Sequence, residues 1–413
     1  MSLSLRQRFA LFRWRLKARK KNCVGLRVSD VPRLMQRLEE QEIPAVVLRW
    51  FDEVPRTPQE ERRFTKDVDM LIDGSGVERA VALAAEQPGP VRCDVYSDTG
   101  QRGSTYSGMP YYPPMLAQEL LRDRELYDGL FHVPRPDAHF RSLLYHLVYH
   151  KGLESGIPSG CHLSSTTQPK RNYAGLLVEL AQSAGVVLMT PITLLSLHEQ
   201  LQQMGWNMPL DLLARWPRQT AWHEWLLNGE KEQLRPWAEA LPQLLVFFIR
   251  DDVASRGLNG TALDMLAEKF SVLATEQLSH EQTERVLRQV RGGDWVHYGK
   301  STLIPPRTAV VCYDLHPVVG GVEEAAKLAG RSNPKAYPLV ENANVLFKHE
   351  IRRRLQQKAN GPRRIHGLHG GDNAYESQHM LRVIYGAATD RMNAQFLAQV
   401  NALRSADAQR RAA

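Results

Sequence analysis

Lys66-Asp67-Val68-Asp69-Met70-Leu71-Ile72 is the stretch that decides how this chain is read. Four apolar residues and an alternating start predict a short strand, yet two carboxylates stand in it. Side chains alternate across a strand, so Asp67 and Asp69 point to one face while Val68 and Met70 point to the other. A lone Asp-x-Asp is more often a strand end or a turn than a metal site. What lies on either side therefore matters.

Upstream, Ala45-Val-Val-Leu48 predicts a strand that leads into Arg49 and Trp50, with Arg62 and Arg63 shortly before the Asp pair. Downstream, a helical segment precedes a second apolar run, Val91-Arg-Cys-Asp-Val-Tyr96, which carries a third carboxylate, Asp94. If the two Asp-bearing strands are neighbours, three carboxylates meet on one face. Such a cluster repels itself unless a hard cation neutralises it, and Mg²⁺ prefers carboxylate oxygens together with substrate phosphates.

Strand, turn, Asp-x-Asp, helix and a third Asp between apolar residues is a pattern that resembles the minimal nucleotidyltransferases of the DNA polymerase β-like superfamily. The resemblance is nearest to uncharacterised bacterial members that carry Leu-Lys-Gly and an Arg before the Asp pair. Here Leu48-Arg49-Trp50 and Arg62-Arg63 hold those places. Trp50 departs from the pattern, because the family uses Gly there to let the backbone approach the triphosphate. The resemblance implies a Mg²⁺-dependent, two-metal nucleotidyltransferase with an NTP substrate. Asp67 and Asp69 would hold the metals and the triphosphate, and Asp94 would complete the acceptor side and help to deprotonate the attacking hydroxyl. Arg49, Arg62, Arg63 and Lys66 are the implied phosphate contacts.

With 413 residues, 43% hydrophobic and 24% charged, the composition is that of an ordinary globular protein with room for two or three cores. No apolar run is long enough to span a bilayer, and no signal-peptide pattern is present. Cys23, Cys93, Cys161 and Cys312 are scattered without metal spacing, which predicts reduced thiols in a cytoplasmic protein. Of the 53 basic residues, eight (Arg6, Arg8, Arg13, Arg15, Lys17, Arg19, Lys20 and Lys21) fall within the first 22 positions, where no acidic residue occurs. The remaining 45 basic and 45 acidic residues balance. A neutral body argues against a long nucleic acid as partner or acceptor. Leu5, Phe9, Phe12 and Leu16 recur at helical spacing within the basic arm, so it suits an anionic membrane surface or an acidic partner, or else a solvated, frayed terminus.

A helix is expected from Ser29 as N-cap to about Gln41, and a long loop from Ser97 to Pro114. From Asp137 another helix carries Phe140, Leu143, Leu144, Leu147 and Val148 on one face and His139, His146 and His150 on the other. The histidines are read as surface or packing residues, with substrate contact by one of them as the alternative. Residues 166–241 look all-helical.

From Leu244 to about Gly386 a second resemblance takes over. Leu245-Val-Phe-Phe-Ile-Arg-Asp-Asp252 followed by Arg256-Gly-Leu resembles the opening strand of nucleoside diphosphate kinase, with Arg250 in place of an early Lys. Gly330-Arg-Ser-Asn-Pro334 is similar to its phosphate loop, which makes Ser332 and Asn333 candidates. Ile365-His-Gly-Leu-His-Gly-Gly-Asp-Asn373 resembles the segment around its phosphate-accepting histidine. His369 is then the implied nucleophile, Asp372 a phosphate-side residue and Glu376 its orienting carboxylate. The same residues also fit a turn, with Asn373 as a helix N-cap and Glu376 completing a capping box.

The expected class is thus α/β of the α+β kind. A basic arm (1–22) precedes a nucleotidyltransferase-like mixed sheet (23–165) with a helical extension (166–241). A ferredoxin-like βαββαβ domain (242–390) and a C-terminal helix (391–413) follow. The expected activity is nucleotidyl transfer to a small-molecule, glycan or protein acceptor. A divergent phosphohistidine kinase or a non-catalytic nucleotide-binding module are the alternatives, in a cytoplasmic protein that is free or peripheral to a membrane.

Overall fold

A computed structural model describes residues 3–164, 168–169, 171–290, 296–297, 300–328, 339–359 and 365–412. Its α+β chain divides into two compact units, one of residues 1–225 and 291–303, the other of residues 226–290 and 304–413. In chain order the first stretch runs α1 (Leu5–Ala18), β1 (Leu26–Val28), α2 (Val31–Glu39), β2 (Ala45–Val47), α3 (Pro58–Arg63), β3 (Asp67–Ile72), α4 (Val77–Ala84) and β4 (Val91–Ser97). Next come α5 (Pro114–Arg122), the β5–β6 hairpin (Arg124–Tyr127, Phe131–Pro134), α6 (Pro136–Tyr145), α7 (Tyr173–Ala184), α8 (Leu194–Gln203), α9 (Leu210–Leu213) and α10 (Ala221–Ala240).

The first unit is organised by a four-stranded sheet in the order β1-β4-β3-β2. β3 and β4 run parallel with α4 as their crossover, while β1 and β2 are antiparallel edge strands. The early half of β3 alternates as the sequence predicts: Asp67 and Asp69 face away from the core, whereas Val68 and Met70 are 3% and 0% exposed within it. Leu71 and Ile72 are buried on both faces, where the strand passes into the middle of the unit. Each such side chain contributes about 1.5–3 kcal/mol relative to an exposed one. The α2 helix is capped by Asp30, whose carboxylate accepts from the Arg33 N–H, not by the expected Ser29. Pro32 in the first turn fixes that start.

Asp98, immediately after β4, is 0% exposed and accepts the Gly74 N–H at 2.7 Å. Burial, aided by the charge of Asp73, pushes its carboxyl up to about 6, while the Gly74 and Gln118 hydrogen bonds pull it down. The folded value lies above the unfolded one near 3.9, so the fold gains relative stability below about pH 4 and loses it as pH rises through about 6. Asp98→Asn keeps an acceptor for Gly74 and removes the ionisation. It is expected to stabilise the protein by about 1–2 kcal/mol at pH 7 and by nothing measurable at pH 4. Denaturant titrations at the two pH values check this, and an unchanged midpoint at pH 7 would contradict it.

The second unit follows with β7 (Leu244–Arg250), α11 (Asp251–Ala254), α12 (Asn259–Ala267), β8 (Ser271–Gln277) and α13 (His280–Gln289). After β9 (Val296–His297) and β10 (Lys300–Leu303), which belong to the first unit, come β11 (Pro306–Tyr313), α14 (Val322–Leu328), α15 (Phe347–Lys358), β12 (Leu368–Gly370), α16 (Ala374–Tyr385) and α17 (Thr389–Ala412). Its sheet has the order β12-β7-β11-β8 and is antiparallel throughout. All seven residues of β7 are buried, in keeping with the continuous apolar run from Leu244 to Ile249. Leu245, Phe247 and Ile249 join a core with Met265 of α12 and Ile351 and Leu355 of α15. α16 packs against the same strand.

Candidate functional site

In the first unit the parallel register sets Asp69 beside Asp94 and Asp67 beside Arg92. Partners in a parallel ladder share a face, so three carboxylates and one guanidinium occupy one side of the sheet. The side chains of Asp67, Asp69 and Asp94 are 44%, 23% and 15% exposed. Arg92 reaches Asp67 at 3.5 Å and Asp94 Oδ1 at 3.1 Å, and Arg49 donates to Asp69 Oδ2 at 2.7 Å. The carboxylates therefore share a face but turn to two cations. Among the described residues, no three His, Cys, Asp or Glu side chains converge as a ready-made metal cage.

The donor set nevertheless fits a hard divalent ion. All three candidate ligands are carboxylates on rigid strands, and Asp94 Oδ1 is a buried oxygen that faces Arg92 at 3.1 Å. Gly25 leaves room for that atom, since a Cβ there would meet Asp94 Oδ1 at 3.0 Å. Burial pushes the Asp94 carboxyl above the ordinary carboxylate range; Arg92 opposes this, whereas Asp67 and Asp69 push the same way.

Arg49 is 7% exposed and also donates to the Tyr111 hydroxyl at 2.7 Å, which in turn meets His146 Nδ1 at 2.8 Å. A hydrogen-bonded chain thus runs from Asp69 into the α6 end of the unit, where a π-helical turn, His146–Lys151, continues the helix. Trp50 has φ 58° and ψ 46°. This is a left-handed conformation, which a bulky side chain adopts at a cost of about 1–2 kcal/mol. Its ring is covered by the Arg171 guanidinium, 3.6 Å from the centroid, and Arg171 pairs with Glu53 at 2.6 Å. Lys66 pairs with the same Glu53 at 2.8 Å, and Arg62 and Arg63 lie exposed at the end of α3.

The three histidines from the 137–150 stretch are packing residues. His139 and His146 are 5% and 6% exposed, and the His150 ring lies 4.0 Å from that of Tyr111. Burial, with the charge of Arg49 behind it, holds the His139 imidazole down at about 3 and drives those of His146 and His150 well below the usual range. They are neutral at pH 7.

In the second unit, His369 sits on β12 opposite Phe248 and is 1% exposed, as is Arg250. Asp372 is bound to the Lys348 ammonium, which also donates to the Gly370 carbonyl at 3.1 Å. Glu376 accepts the Asp372 N–H, and its own N–H goes to the Asn373 side chain, so it closes the start of α16. Ser332 and Asn333 lie outside the described residues.

Arg92, Glu53, Arg171 and Tyr111 were not picked out from the sequence. Arg92 was findable, because a residue two before Asp94 must share its face. Arg171 comes from a segment 118 residues away from Glu53 and had no local signal. No protein-family model matches the chain, and no curated protein and no solved structure does either.

Proposed function

We propose that the first unit is a Mg²⁺-dependent nucleotidyltransferase that transfers a nucleoside monophosphate from an NTP to a non-polymeric acceptor. One observation carries this reading: Asp67, Asp69 and Asp94 share a face of two parallel strands joined by a helix. The left-handed turn at Trp50 and the cations Arg49, Lys66, Arg62 and Arg63 around the Asp pair support it.

In this mechanism Asp67 and Asp69 would hold a Mg²⁺ ion that neutralises the triphosphate, and Asp94 would lie on the acceptor side. The ion, when bound, supplies Lewis-acid stabilisation of charge on the phosphate oxygens. Arg92 turns from the carboxylates to the phosphates; its side chain is 50% exposed and free to swing. Asp94 takes the proton of the acceptor hydroxyl. The acceptor oxygen then bonds to the α-phosphorus as the α–β bridging bond breaks, and pyrophosphate leaves. Lys66 and the α3 arginines balance the charge on the leaving group.

The strand order of the second unit, fourth-first-third-second in chain order of its sheet, supports a ferredoxin-like βαββαβ arrangement. A phosphohistidine role is not proposed for it, since the His369 ring is 1% exposed and a nucleotide would have to reach it. The test uses the full chain with Mg²⁺, ATP labelled at the α- or γ-phosphate, and a protein-free cell extract as acceptor pool. The α label is expected in a new product and the γ label in pyrophosphate. Acid-labile γ label on the protein, or no transfer from any of the common NTPs, would contradict the proposal.

A further inference from the structure

The N-terminal helix α1 carries two apolar stripes. Leu11, Trp14 and Ala18 are 8%, 7% and 5% exposed and form the inner one, against the first unit's core. Leu5, Phe9, Phe12 and Leu16 are 85%, 61%, 58% and 45% exposed and form the outer one. At 3.6 residues per turn the stripes lie on nearly opposite sides of the cylinder. An apolar row pointing to solvent along a whole helix is not required for folding, because the inner stripe already docks it.

The same rotation sorts the cations. Arg6, Arg13 and Lys17 border the outer stripe on one side, and Arg8, Arg15 and Arg19 on the other, all of them exposed. Lys20 and Lys21 continue the charge past the helix end. Arg15 shares its charge with Glu78 at 2.6 Å; the helix itself has no acidic residue. Ser4 and Gln7 close a capping box at its start, so the helix is formed before it meets a partner.

We propose that this face of α1 docks on an anionic lipid surface, with Leu5, Phe9, Phe12 and Leu16 inserted below the headgroups and the two cationic borders level with the phosphates. Charge complementarity selects the occupant. A second copy of the chain would bring a like-charged helix, whereas an anionic bilayer satisfies both the apolar row and the borders on either side of it. No helix of the described residues is long and apolar enough to cross a membrane, so the contact is peripheral. This attachment is independent of the chemistry proposed for the Asp-bearing strands.

Co-sedimentation of the full chain with phosphatidylcholine vesicles, with and without phosphatidylglycerol, tests it. Binding is expected only where phosphatidylglycerol is present, and it should weaken as salt is added. Phe9→Ser with Phe12→Ser should lower the partition coefficient at least about tenfold. Arg6→Gln, Arg13→Gln and Lys17→Gln together should lower it by about fivefold per charge. All these side chains are exposed, so unchanged circular dichroism should accompany the loss. Failure to bind the anionic vesicles would overturn the proposal, as would equal binding by the phenylalanine variant. Phenylalanine-dependent binding to soluble polyglutamate in place of vesicles would also overturn it, in favour of an acidic protein.

Discussion

Asp67→Ala is expected to lower Mg²⁺-dependent transfer of the α label by about a thousandfold or more, a loss of at least about 4 kcal/mol of transition-state stabilisation. Its structural cost should be small. The Asp67 side chain is 44% exposed, and its ion pair with the half-exposed Arg92 spans 3.5 Å, an arrangement worth about 0–1 kcal/mol. Asp69→Ala is a poorer test, because it would strand the Arg49 guanidinium, whose side chain is 6% exposed, and so mix instability with lost chemistry. Initial rates of α-label transfer, with the unfolding midpoint measured alongside, separate the two effects. A variant within tenfold of the natural protein would remove Asp67 from the mechanism.

Lys348→Ala is expected to destabilise the second unit by about 3–5 kcal/mol and to leave transfer by folded protein unchanged. The Lys348 and Asp372 side chains are 4% and 7% exposed, so deleting one removes a close opposite charge from the other, which stays buried. Coulomb attraction then no longer offsets the desolvation. Lys348→Met combined with Asp372→Leu removes both charges and should recover most of the loss. Urea titrations of the full-length variants give the comparison. Equal stability of Lys348→Ala and the natural protein would show that the pair contributes nothing to folding.

Much of the first unit was legible because its signals are local. Alternation placed Val68 and Met70 inward and the two aspartates outward, and the apolar spacing of the arm predicted α1. The cap at Asp30 was missed by one residue, since Ser29 and Asp30 are both good N-caps and the chain alone does not say which turns first. The inner stripe of α1 was hidden because the outer one is longer and more apolar. What sequence reasoning could not reach was pairing across distance. Arg49 with Asp69, Arg171 over Trp50 and Lys348 with Asp372 join residues whose spacing carries no periodic signal. It also gave no sign that the Trp50 backbone adopts a left-handed conformation, φ 58° and ψ 46°.

The central claim is that the carboxylates of β3 and β4 hold a divalent ion. Mn²⁺ is the direct probe, because it takes the same oxygen ligands as Mg²⁺ and scatters anomalously. Crystals grown with Mn²⁺ and a non-hydrolysable NTP analogue are predicted to show an anomalous peak bonded to Asp67, Asp69 and Asp94, with Arg92 swung onto phosphate. Nucleotide-bound crystals with no peak at that face, and Arg92 still on Asp67 and Asp94, would contradict the account.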